Sequence, residues 1–154
     1  MKEFSMYCIK NEFAEHYFYK CDILYRFIKS HHANRFRQDL ALQFNYITNN
    51  FPSDISYYVM SQLNNMDSIR IFKDENQLEI YSDNHYLSLY VHKKQLKFHC
   101  ESLYEAENIL FPALRLFDPY LFIINHNADE YGWLSPDKNK INISEGKQLL
   151  YSYL

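Results

Sequence analysis

Glu12 and His16 stand at i and i+4, and His31 and His32 are adjacent, so the residue types that ligate a divalent metal are present. No HExxH motif accompanies them, and a closed site would need a third and a fourth ligand from unrelated segments. These histidines therefore read as solvated or capping groups. Cys21 and His16 are a conceivable nucleophile and base, but their spacing along a helix points the two side chains in different directions. Glu105, Glu107, Asp118, Asp129 and Glu130 fall at expected helix starts and turns, where capping and solvation account for them. With Gly132 and Gly146 as its two glycines, the chain can form no phosphate-cradling loop, dinucleotide fingerprint or GxSxG elbow. The reading is a protein that is not an enzyme, with no metal, no cofactor and no small-molecule substrate.

One set of side chains points to nucleic acid. Tyr81, Tyr86, Tyr90, Lys93, Lys94 and Lys97 interleave stacking rings with cations along expected strands. The competing account is cross-strand packing of aromatics, and no glycine-aromatic motif of an RNA-binding sheet is present. A net charge of −3 also argues against a partner attracted mainly by its phosphates, so direct nucleic-acid binding is the alternative reading, not the first.

The elements that position these residues belong to one ordered domain. In its 154 residues the chain has 15 Tyr and 12 Phe but only two Gly and four Pro, a composition that buries a core and leaves little for linkers. Cys8, Cys21 and Cys100 are odd in number and lack CxxC spacing, which suggests buried reduced thiols in a cytoplasmic protein. Neither a signal peptide nor an apolar run long enough for a membrane span is expected.

Along the chain, Phe4 to Lys10 alternates as a strand, and Asn11 is placed to cap a helix running to about Lys29. Phe36, Leu40, Phe44 and Ile47 mark the core stripe of a second helix ending near Asn49. Asp54 is placed to cap a third helix through Leu63, although Ile55 to Met60 also suits a strand. A four-strand meander follows at Ser68–Lys73, Gln77–Ser82, Tyr86–His92 and Gln95–Glu101, with apolar residues on one face to be covered by helices. Ser102 and Glu105 form a capping-box pattern that opens a helix to Phe117, with a bend expected at Pro112. Pro119 to Asn125 reads as a final buried strand, and Asp129 to Trp133 as a turn. The expected fold is α+β, a mostly antiparallel sheet of about six strands with helices packed on it. The domain spans 1–136, and 137–154 reads as a loosely held C-terminal extension.

The first helix carries more apolar residues than one buried face requires. Ala14, Phe18, Cys21, Tyr25 and Ile28 recur as a core stripe, and Phe13, Tyr17, Lys20 and Leu24 form a second stripe beside it. Either the helix is more deeply buried than usual, or something outside the domain covers the second stripe. On the second helix, Asp39, Gln43, Tyr46 and Asn50 make a polar-aromatic stripe beside the core one. Aromatic rings bordered by amide, acidic and lysine groups have the make-up of a protein-binding patch.

The stretch Ile9-Lys10-Asn11-Glu12-Phe13-Ala14-Glu15-His16-Tyr17-Phe18, the later Gln43-Phe44-Asn45-Tyr46-Ile47-Thr48, and Tyr131-Gly132-Trp133-Leu134 resemble the sporulation inhibitor of replication family, SirA. Glu105 to Phe111 is similar to that family's helix before the last strand, so the resemblance runs from about residue 3 to 138. It implies an inhibitor that binds the N-terminal domain of the replication initiator DnaA, blocks initiation at the chromosomal origin, and reaches the origin through that partner. It also implies that Phe13, Tyr17, Gln43 and Tyr46 make the contacts. With Lys20 from the second stripe, these are the expected partner-binding residues.

Overall fold

The strand Leu121–Asn125 is buried at every position, which a strand achieves only when both faces of its sheet are covered. The computed structural model describes residues 1–135 and shows how this comes about. In chain order, the elements are β1 (Lys2–Ile9), α1 (Asn11–Tyr17), α2 (Cys21–Ala33), α3 (Gln38–Ile47), β2 (Thr48–Asn49) and α4 (Ile55–Leu63). The meander β3 (Ile69–Asp74), β4 (Gln77–Ser82), β5 (His85–Val91) and β6 (Leu96–Cys100) follows. The described chain closes with α5 (Leu103–Ile109), α6 (Phe111–Phe117), β7 (Leu121–Asn125) and β8 (Glu130–Trp133). The fold is α+β in a single eight-stranded sheet of order β3-β4-β5-β6-β1-β7-β8, with every pairing antiparallel. The short β2 extends the β6 side of β1, pairing Asn49 with Cys8 and Thr48 with Ile9.

Strand alternation sends two sets of side chains to two cores. On one face, Phe4, Met6, Leu78, Ile80, Leu87, Leu89, Leu96 and Phe98 pack with Val59, Leu63, Phe111 and Leu114 of α4 and α6. On the other, Tyr7, Ile9, Phe122, Ile124 and Trp133 pack with Ala14 of α1, Leu24, Tyr25 and Ile28 of α2, and Phe44 of α3. Helices thus cover both faces, where the meander alone suggested one, and the second layer lies over β1, β7 and β8. The buried charge of Arg115 is matched by a bidentate pair, Nη1 donating to Glu107 Oε1 at 2.8 Å and Nη2 to Oε2 at 2.6 Å, with Nε donating to the Leu134 carbonyl at 2.8 Å.

Several boundaries differ from expectation, each for a local reason. The expected helix from Asn11 to Lys29 is two helices, interrupted at 18–20, where Lys20 leaves the helical region at φ −125°, ψ 48°. At the break, the Phe18 carbonyl accepts the indole Nε1–H of Trp133 at 3.0 Å and the Cys21 thiol at 3.4 Å, whereas an unbroken helix would have given it to the Asp22 N–H. Asn11 is the first helical residue, with Lys10 in the capping position and no side-chain cap. Phe36 is fully exposed because α3 begins two residues after it, and Thr48–Asn49 leaves that helix to pair with β1. Ile55 to Leu63 is the expected helix and not the alternative strand, but Asp54 at its start makes no side-chain cap. The capping box does not form, since Ser102 makes no side-chain cap and Glu105 Oε1 instead meets His85 Nδ1 at 2.8 Å. The following helix divides at Leu110, and Pro112 sits in the first turn of α6, where its missing N–H costs nothing. Glu130 to Trp133 is an edge strand rather than a turn, paired with Phe122–Asn125, and together with β2 it brings the count to eight strands instead of about six. The expected extension, 137–154, lies outside the described residues.

Trp133→Phe keeps a ring at this position but deletes the indole donor to the Phe18 carbonyl. Urea unfolding should show a loss of about 1–3 kcal/mol. An unchanged midpoint would mean that the indole bond does not hold the break.

Candidate partner-binding groove

α1 ends at Tyr17 and α2 restarts at Cys21, and side chains from both meet those of α3. Phe13 and Tyr17 from α1, Ile23, Leu24 and Phe27 from α2, and Gln43, Tyr46 and Ile47 from α3 line one groove of about 280 Å³. Leu24 is its buried floor. Phe13, Tyr17, Phe27 and Ile47 are half-buried, while Ile23 is 46% and Tyr46 65% exposed at the rim. Phe13 meets Tyr46 edge-on at 5.3 Å between ring centroids, and Lys10 Nζ lies 5.1 Å from the Tyr46 ring. His16 packs edge-on to Tyr17 at 4.7 Å.

The third wall is fixed from its C-terminal end. The Lys10 N–H donates to the Ile47 carbonyl at 2.9 Å, Thr48 Oγ1 donates to Phe44 O at 2.7 Å, and Phe44 packs against Tyr7 and His31. Lys94 Nζ donates to Thr48 O at 3.0 Å, placing a cation at the negative end of α3.

Of the expected contact residues, the structure brings Phe13, Tyr17, Gln43 and Tyr46 together in the groove. Lys20 is exposed in the break and does not line it. On the polar-aromatic stripe, Asp39 is held by Arg37 at 2.6 Å instead of facing the groove. Phe27 is legible from spacing, since it continues the stripe Phe13, Tyr17, Lys20, Leu24 at i+14, whereas Ile23, at i+10 from Phe13, lies off that stripe and is not. Neither a carboxylate nor an amine lines the groove, so its chemistry is apolar contact, one amide and two phenols, which suits recognition.

No disulfide joins the three buried cysteines, and burial pushes the Cys8 and Cys100 thiols up to about 12, well away from thiolate. His16 is exposed, while the Cys21 thiol is committed to the Phe18 carbonyl. Among the described residues no three His, Cys, Asp or Glu side chains converge to hold a metal ion. No described helix is long and apolar enough to cross a membrane. His126 stacks on His32 at 4.1 Å and shares a hydrogen bond with the Tyr7 hydroxyl at 3.1 Å. Burial, with His32 and Lys97 nearby and a lesser push from Lys29, lowers it to about 4 against the opposing field of Glu3.

Compared with known proteins, residues 2–138 match the model of a family described as sporulation inhibitor of replication protein SirA. The sporulation inhibitor of replication protein SirA of Bacillus subtilis (strain 168) is 23% identical over 143 residues, spanning 90% of this chain and 97% of that protein.

The groove's rim and floor should separate in unfolding experiments. Leu24→Ala should cost about 2–5 kcal/mol, while Tyr46→Ala should cost about 1 kcal/mol or less. Similar losses at the two sites would mean that Tyr46 belongs to the core. A pH effect also follows from His126. Its folded pKa is below its unfolded value, so the unfolded chain takes up the proton first, and stability falls as pH drops from about 6.5 towards about 4. Allowing for solvent at a partly exposed ring, the contribution is roughly 1–2 kcal/mol. Between about pH 7 and about pH 4.5, His126→Asn should lose less stability than the wild type in urea unfolding, and equal losses would refute the assignment.

Proposed function

The chain belongs to the SirA family of sporulation inhibitors of replication, and on that basis we propose that it inhibits the initiation of chromosome replication by binding a replication protein. In this reading the partner is the N-terminal domain of the initiator DnaA, the partner implied by the family resemblance, and the contact surface is the aromatic groove. The protein then acts stoichiometrically in the cytoplasm, at the origin through its partner, with no reaction to catalyse.

One observation carries the proposal. Phe13, Tyr17, Gln43 and Tyr46 come from two helices separated in sequence, yet they line the same groove. Its composition fits an interface centre, in which a few rings carry most of the binding energy while amide and phenol groups set the register. Its walls are tied to the sheet before any partner arrives, so little ordering cost falls on binding.

Calorimetric titration with the isolated N-terminal domain of DnaA from the same organism tests it. Phe13→Ala or Tyr17→Ala should each weaken binding by about 2 kcal/mol or more, roughly thirtyfold, with circular dichroism unchanged. Wild-type affinity in the folded variants would remove the groove from the interface. No heat of binding from the wild type at concentrations well above micromolar would remove the partner.

A further inference from the structure

A second concavity, of about 520 Å³, opens where the helical layer over the sheet ends, and it shares no lining residue with the aromatic groove. Its walls carry Arg35, Lys93, Lys94 and Lys97, with the rings of His31 and His32 between them. Four permanent cations gathered in a chain of net charge −3 need an explanation, because clustered like charges oppose folding. Lys94 has a structural task at the end of α3. Among the described residues no carboxylate forms an ion pair with Arg35, Lys93 or Lys97, and no carboxylate lines the cleft. Glu3 is the acidic group whose field reaches His32 and His126, and its Oε2 is already engaged by His99 Nε2 at 2.8 Å. The cations act on one another: Arg35 and Lys97 both disfavour a charge on His32, and Lys10 and Lys93 disfavour the one on Lys94. The cleft is thus poised for an anion the protein does not itself supply.

The register shows what lies beside it. Lys97 pairs across the sheet with Tyr90, and Tyr90 with Gln77, so the cleft continues onto the half of this face that α1–α3 do not cover. On that same face Tyr81 and Tyr86 are cross-strand partners with ring centroids 4.9 Å apart, and Phe72, 57% exposed, meets Tyr81 at 5.7 Å. Glu79 lies among these rings, accepting from the Tyr86 hydroxyl at 3.4 Å. Half-buried rings next to a cationic cleft match the two parts of a nucleotide chain, bases that stack and phosphates that seek cations.

We propose that the cleft and the adjoining ring-bearing face bind a single strand of nucleic acid. Its phosphates sit on Arg35, Lys93, Lys94 and Lys97, and its bases lie over Tyr90, Tyr86 and Phe72. This site is independent of the aromatic groove, so an inhibitor held by a replication protein could also grip exposed strand.

Fluorescence anisotropy of the full chain with a labelled single-stranded DNA of about a dozen nucleotides tests the proposal, a length within the roughly 4–16 nucleotides that strand-binding OB folds cover. Four phosphate contacts predict a slope of about −3 for log affinity against log salt, a loss of roughly fiftyfold between about 50 and about 200 mM. The exposed pair Arg35→Glu, Lys93→Glu should weaken binding at least tenfold with circular dichroism unchanged, whereas Phe13→Ala, Tyr17→Ala should bind DNA as the wild type does. A duplex of the same sequence should bind at least tenfold more weakly, because its bases are already stacked on one another. Undiminished binding by the charge-reversed variant, equal affinity for the duplex, or no saturation at low salt and about 100 µM protein overturns the proposal. Competition by inorganic phosphate or a free nucleotide as effective, per phosphate, as the unlabelled strand would also overturn it, assigning the cleft to small phosphates.

Discussion

The hydrogen bond from the Trp133 indole to the Phe18 carbonyl is the constraint on which the arrangement of the helical layer depends. That carbonyl stands where an unbroken helix would present it to the Asp22 N–H, and at the break the indole N–H reaches it. The Phe18 ring also stacks on Trp133, with centroids 5.3 Å apart and planes 15° from parallel, so the same residue is held through both backbone and side chain. No glycine or proline lies between Asn11 and Ala33. The break is met by a partner more than one hundred residues away rather than by a local glycine or proline, and beyond it Ile23 and Phe27 of α2 join Phe13 and Tyr17 in the groove.

The edge strand β8 exists to deliver that tryptophan. Pairing of Trp133 with Phe122 and of Gly132 with Ile123 sets its height above the sheet, and the row Tyr7, Phe122, Trp133 then forms the floor on which α1 to α3 rest. Because this helical layer covers β1, β7 and β8 but not β3 to β5, the second face of the sheet is divided. One part is core, and the other keeps half-buried rings at Tyr81, Tyr86 and Tyr90. The high aromatic content thus serves three purposes: stacked core rings such as Phe18 and Trp133, rim rings such as Tyr46, and a ring-bearing open face.

Membership of the SirA family and the geometry of the groove support each other without resting on the same observation. The family match follows the order of residues along the chain, while the groove follows from the contact of three helices. A surface built from parts of α1, α2 and α3 depends on their relative placement. Changes in the second core, on which Phe13, Tyr17, Phe27 and Ile47 pack, therefore bear on the shape of the groove through position as much as through stability.

Alternation and helical spacing in the sequence by themselves determined the α+β class, the limits of the meander and the inward set from Leu78 to Phe98, because those patterns are set by solvent exclusion from a local face. They also placed Ala14, Phe18, Cys21, Tyr25 and Ile28 in the core, which holds on both sides of the break. Phe13, Tyr17, Gln43 and Tyr46 were legible as candidates from their stripes and from the family motif. Only the tertiary structure decided that they share a groove, that Lys20 lies outside it, and that Ile23 and Phe27 belong to it. It alone also showed that Ser102 and Glu105 form no capping box and that Asp129 to Trp133 holds an edge strand. Each of these turns on which buried donor reaches which acceptor across the fold, as Trp133 reaches Phe18 and His85 meets Glu105, and a local pattern of residue types carries no record of partners so distant in sequence.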